Sequence, residues 1–165
     1  MSRRDGRDGL LIVAGSLAVA LVLTVVPLPP LLEPFRPYWV ALVMIYWHLE
    51  SGRLQELGPA FVLGLLVDVL TGSLLGRHAL SLVILNFLLR RFRNRIRFFP
   101  PWQQALAIGA LLFNDRIVHL WVVGLLERSW PGWAFWLPPL VGIALWPWLF
   151  LLLDALRSRR RGARP

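Results

Sequence analysis

Asp68 is the one carboxylate in the apolar stretch GLLVDVLTGSLLGRHAL, residues 64–80, where Gly64, Gly72, Ser73 and Gly76 surround it with small residues. A carboxylate in such surroundings can act as an acid, hold an ion or ligand, or tie helices together. A second polar group stands in NDRIVH, residues 114–119. There Asp115 and His119 are four apart and share a helical face, while Arg116 is three from His119. That spacing suits a proton relay. With Arg116 beside Asp115 it equally suits a nearly neutral patch that joins helices or subunits, and this second reading is favoured because it limits the desolvation cost. Asn86 reads as an interhelical hydrogen bond.

Other chemistry finds little support. His48, His78 and His119 lie in different apolar runs with no H-x-x-x-H or H-E-x-x-H spacing, so neither a zinc site nor another metal or cofactor is expected. Neither a G-x-S-x-G elbow nor a phosphate loop occurs. Cysteine is absent, which excludes thiol catalysis and disulfides. An intramembrane enzyme would need at least two of the polar residues to converge within hydrogen-bond reach.

The elements that must position these residues are membrane helices. In 165 residues the hydrophobic content is 57% and the mean hydropathy +0.61, too apolar for a soluble domain. A span needs about 20 apolar residues. Six runs meet or approach that length, at 10–28, 38–49, 58–70, 78–90, 101–126 and 135–153, followed by a basic tail over 154–165. They form a single integral membrane domain with no soluble domain, linker or strong repeat. The first run is too long for a signal-peptide core and lacks a small-x-small cleavage site, so it is read as a retained helix. The third and fourth are lean: their helices are short, or their hairpin stays partly sunk in the membrane.

The net charge of +9 is carried by arginine alone. Fourteen of the 18 arginines fall at the N-terminus, in the 50–57 and 90–97 segments and in the tail. By the positive-inside rule both termini are cytoplasmic. Arg90, Arg91, Arg93, Arg95 and Arg97, with Arg159, Arg160 and Arg161, therefore read as topology determinants that touch anionic lipid rather than nucleic acid. Tyr38, Trp39 and Trp102, with Trp130, Trp133 and Trp136, suit the membrane interface.

Asp68 follows Pro59 by nine residues, roughly 14 Å along a helix and near mid-membrane depth. Ala60, Gly64, Asp68, Gly72 and Gly76 recur every fourth residue, the spacing of close helix packing. Four-residue steps drift about 40° each, however, so the stripe cannot remain one face, and a break near Thr71–Gly72 is predicted. Thr71 or Ser73 would then cap exposed backbone groups. Three roles stay open for Asp68: helix packing with a capped turn, contact with a partner protein, and ion or proton chemistry.

The chain resembles the rod shape-determining protein MreD family over nearly its whole length. The resemblance is densest in RPYWVALVMIYW, FVLGLLVDVLTGSLLGRHAL, RFFPPWQQAL and LWPWLFLLLDALR. Gly64, Asp68, Gly72, Gly76 and Ala79 stand in the family's pattern, whereas NDRIVH is more polar than the family at that span. The resemblance implies a non-enzymatic inner-membrane subunit of the bacterial elongation machinery. Its expected partners are MreC, the MreB filament, the RodA glycosyltransferase and the elongation transpeptidase. It also implies a compact bundle of six transmembrane helices, similar to the substrate-binding subunits of energy-coupling-factor transporters. The chain is thus expected to be an all-α membrane scaffold that binds MreC and forms a homo-oligomer, a dimer. Gly64, Asp68, Gly72, Gly76, Asn86, Asp115, Arg116 and His119 are its candidate packing or docking residues. The rival expectation is a subunit that binds a small molecule or lipid carrier in a wet pocket lined by Asp68, Asn86 and Asp115.

Overall fold

Each of the six apolar runs forms an α-helix in the computed structural model, which describes residues 3–52, 54–126 and 132–162. The helices are α1 (Arg3–Val25), α2 (Trp39–Ser51), α3 (Leu57–Thr71), α4 (Arg77–Ile96), α5 (Pro101–Leu126) and α6 (Leu137–Gly162). Two short 3-10 turns, Glu33–Phe35 and Trp133–Trp136, precede α2 and α6. Prolines set several of these limits. Pro27, Pro29 and Pro30 stop α1 from continuing, and α5 opens on Pro101, where a missing N–H costs nothing. Glycine sets others: Gly52 ends α2 and Gly72 ends α3, with φ of 66° and 63°.

Helix α2 is the core. Every residue from Val40 to Leu49 is buried, as a helix apolar all round its circumference must be. Helices α1, α4 and α6 pack against it, α3 runs along α4, and α5 is held between α4 and α6. At the α5–α6 crossing, a Cβ on Gly109 would overlap the Ile143 side chain, and one on Gly142 would overlap Leu112. These two glycines let the helices approach closely.

Length divides the helices. Pro101–Val122 and Trp133–Ser158 are long and apolar enough to cross a membrane, while Gly9–Val25 and Leu57–Thr71 are shorter apolar helices. At about 1.5 Å per residue, α2 and α3 are roughly 20 and 22 Å long, short of the ~30 Å hydrocarbon layer. Helix α4 is longer, but its last two turns carry Arg90, Arg91, Arg93 and Arg95. The α3–α4 hairpin is therefore shallow for two full crossings. Its turn sends Leu74 and Leu75 outward, 57% and 69% exposed, while Asp68 stays buried beneath them.

Arginine closes two helix ends. Arg36 donates through its two terminal nitrogens to Thr24 O (2.6 Å) and Val26 O (2.7 Å) at the end of α1. Arg93 closes α2, its Nε donating to His48 O and its Nη2 to Leu49 O at 3.0 Å each. A cation at a helix C-terminus satisfies orphan carbonyls and opposes the negative end of the dipole. Arg157 of α6 joins the same end of α2 through Glu50, Nη1 to Oε2 at 2.6 Å.

The NDRIVH segment does not interrupt α5, which is continuous through it. Helix α6 likewise runs past its apolar part to Gly162. The side chains of Arg159, Arg160 and Arg161, read above as lipid-facing, lie outside the described residues, as does Trp130.

Candidate functional site

Glycine builds the α3–α4 hairpin. Gly64 faces Ala79 across the pair, and a Cβ there would overlap the Ala79 backbone. Gly72 and Gly76 hold φ of 63° and 97°, a region L side chains rarely adopt, and so permit the reversal. The four-residue stripe thus breaks at Thr71–Gly72, where its angular drift requires.

Asp68, fully buried in the last turn of α3, is the centre of the turn. Its Oδ1 accepts from Ser73 Oγ (2.7 Å), His78 N (2.9 Å) and His78 Nδ1 (2.8 Å). Its Oδ2 accepts from Gly76 N (2.8 Å) and Ala79 N (3.4 Å). Its main-chain carbonyl also accepts from Gly72 N and Ser73 N. The Gly76, His78 and Ala79 amides belong to the first turn of α4, whose own N-cap is a glycine with no side chain. Asp68 supplies from another helix the anion that an N-cap residue would supply locally. Ser73 reaches the carboxylate rather than the backbone, and Thr71 donates to Val67 O (2.7 Å) within its own helix.

A polar chain continues from this hub. The His78 ring meets the His119 ring edge-on at 4.8 Å, and Tyr38 at 5.8 Å. His119 Nδ1 lies 3.0 Å from Asp115 O and 3.5 Å from Asp115 Oδ2. Asp115 is buried and takes the Ser81 hydroxyl of α4. Asp68, Asp115 and His119 therefore belong to one layer joining α3, α4 and α5.

Arg116 departs from that layer. Among the described residues it forms no ion pair with Asp115, and its guanidinium lies over the Phe135 ring, 5.1 Å from the centroid. Consecutive residues on a helix point about 100° apart, so Asp115 turns to the core while Arg116 turns to the 3-10 turn before α6. Ser81 and His119 take the place expected for Arg116.

Asn86 belongs to a separate site nearer the other end of α4. Its Oδ1 meets buried His48 Nδ1 at 2.6 Å, and its Nδ2 donates to Glu56 O at 2.8 Å. It bridges α4, α2 and the entry to α3. Arg90, Arg91, Arg95 and Arg97 are exposed, whereas Arg93 is half-buried and bonded to α2. Charge alone could not separate Arg93 from its neighbours.

Residue types and spacing also left His78, Ser81, Gly109 and Gly142 unassigned, and Tyr38, expected at the membrane interface, packs against the core and the His78 ring. For His78 a partial signal existed: two glycines four apart after an acid mark a reversal that returns the start of the next helix to it. For the α5–α6 glycines no local signal exists, because each faces an isolated partner on another helix.

The arrangement joins helices through their polar residues. Asp68, Asp115 and Asn86 each have protein partners, and among the described residues no group of three or more His, Cys, Asp or Glu side chains could hold a metal ion. Comparison with known proteins agrees with a shape-determining role. The rod shape-determining protein MreD family matches residues 8–156. The rod shape-determining protein MreD of Haemophilus influenzae is 31% identical over 141 residues, covering 86% of this chain and 87% of that protein. No solved structure matches the chain. With its apolar helices and a family match over nearly its whole length, this membrane protein belongs to the rod shape-determining protein MreD family.

Proposed function

We propose that the chain is a multi-pass scaffold of the bacterial inner membrane that binds MreC and supports lateral peptidoglycan synthesis, without bond chemistry of its own. It crosses the membrane six times with both termini in the cytoplasm, a topology that the arginine distribution supports. The bundle is of the kind found in the substrate-binding subunits of energy-coupling-factor transporters. Through MreC it works with the MreB filament, RodA and the elongation transpeptidase, as a homodimer. Its action is equilibrium binding that shifts partner populations.

The observation that carries this reading is the saturation of Asp68. Its carboxylate accepts from Ser73, Gly76, His78 and Ala79 at 2.7 to 3.4 Å, and every one of those donors lies in its own hairpin. An acid so engaged fixes the shape of a surface rather than exchanging protons with a substrate. The outer faces of α3 and α4, including Phe61, Val62, Val69 and Phe87, are exposed and apolar, suited to lipid or a partner helix.

The test is complementation of a strain lacking its own copy, with rod shape and MreC co-purification as readouts. The chain should restore both, and Asp68→Asn should weaken both together. Unchanged co-purification and shape with Asp68→Asn would remove the docking role of this hairpin.

A further inference from the structure

Arg116 is the charged residue of α5 that the core does not use. Its guanidinium, fixed over Phe135, borders a cavity of about 410 Å³. Glu33, Pro34 and Arg36 of the α1–α2 connection line the same cavity, as does Pro138 at the start of α6. Phe135 itself meets Trp136 edge-on at 5.4 Å, which supports the platform beneath the guanidinium. A cation held over an aromatic face keeps its donor edge free and oriented.

The charges of the cavity are unequally available. Arg36 spends its terminal nitrogens on Thr24 O and Val26 O, where the negative end of the α1 dipole offsets it. Arg116 and Glu33 remain, one cation and one anion in the same cavity. The surroundings are those of a lipid boundary: Leu31, Leu32 and Trp133 are 86%, 52% and 78% exposed. An aromatic ring and aliphatic chains at that position suit the headgroup layer.

We infer that this cavity binds the headgroup of a zwitterionic phospholipid, its phosphate on Arg116 and its primary amine on Glu33. Guanidinium and phosphate match as a fork of parallel donors to paired oxygens. Glu33 favours an ammonium beside the phosphate and disfavours a headgroup with net negative charge. The acyl chains would lie outside, along the apolar face beside Leu31 and Leu32. The placement in the outer leaflet rests on the topology proposed above; the binding chemistry does not.

Native mass spectrometry of the detergent-purified chain, titrated with phosphatidylethanolamine or phosphatidylglycerol, tests this without reference to cell shape. The expected result is one tightly retained phosphatidylethanolamine, preferred over phosphatidylglycerol. Arg116→Gln should weaken its retention about tenfold, the scale of a lost hydrogen bond to a charged group. Arg116→Lys, which keeps the charge and the fold if the glutamine variant does not express, should weaken it less. Glu33→Gln should remove the preference between the two lipids. Equal retention by wild type and both Arg116 variants, or a wild-type preference for phosphatidylglycerol, would overturn the assignment. A lipid lost on changing Arg97→Gln but not Arg116 would place the site on the basic cytoplasmic face instead.

Discussion

Asp68 and His78, ten residues apart, meet through two separate bonds: the His78 amide and its ring Nδ1 both donate to Asp68 Oδ1, at 2.9 and 2.8 Å. One bond starts helix α4 and the other fixes the ring that touches His119. A single carboxylate oxygen therefore sets both the direction of a helix and the position of the next polar group. Its neutral replacement should be unusually costly. Asn at position 68 would turn an NH₂ toward Gly76 or toward the His78 amide, placing donor against donor. Asp68→Asn should lose on the order of 3 kcal/mol of stability, as expected when a charged hydrogen-bonded acceptor is removed from the interior. Thermal unfolding in detergent reads this directly, and Asp68→Ala should be no worse.

Gly64 and Gly109 should respond differently to the same added methyl. At Gly64 the methyl meets the Ala79 backbone, which can yield only if the helices separate. At Gly109 it meets the Ile143 side chain, which can rotate. Gly64→Ala should cost about 3 kcal/mol and Gly109→Ala about 1 kcal/mol, within the range for overpacked cores. Ile143→Val should restore part of the Gly109→Ala loss and none of the Gly64→Ala loss. A double-mutant cycle measures the difference.

Beyond its chain neighbours Gly76 has no atom within 4 Å of the place its Cβ would occupy, so the cost there is that of the local backbone. With φ of 97°, Gly76→Ala should cost about 1–2 kcal/mol. Gly76→Asn should cost less than the alanine change, because Asn tolerates positive φ better. Equal unfolding temperatures for the two variants would show that the turn relaxes to another conformation.

Arg93 should separate from the arginines beside it. Arg93→Gln removes two bonds to the end of α2 and should cost about 1–2 kcal/mol of stability. Arg91→Gln should leave stability unchanged, since that side chain is exposed. Both should weaken adsorption to anionic vesicles slightly, because each removes one basic charge near the surface. Unfolding temperature and vesicle co-sedimentation, measured on the same two variants, distinguish cap from lipid contact.

Much of the fold was legible because its causes are local. Hydropathy places apolar runs, prolines at 27, 29 and 101 stop or start them, and glycines at 52 and 72 end them. The break after Thr71 followed from arithmetic alone, since a four-residue repeat cannot hold one face of a 3.6-residue helix. The candidate site was legible in part. Asp68 and Asp115 announced themselves as carboxylates in apolar surroundings, but their partners did not. Asp68 is satisfied mainly by backbone amides, which every residue carries, and Asp115 by a serine whose like occurs throughout the chain.

The sequence by itself determined the class of the protein, its helices, the clustering of its arginines and the place of the α3–α4 reversal. Each depends on composition or on neighbours a few residues away. Only the tertiary structure decided that Asp68 caps the helix beyond its own turn, that Arg116 leaves Asp115 for Phe135, and that Arg93 faces inward. Those outcomes turn on which helix stands opposite a residue. That is set by the summed packing around α2 and by close approaches at Gly64, Gly109 and Gly142, and no local pattern encodes such a sum.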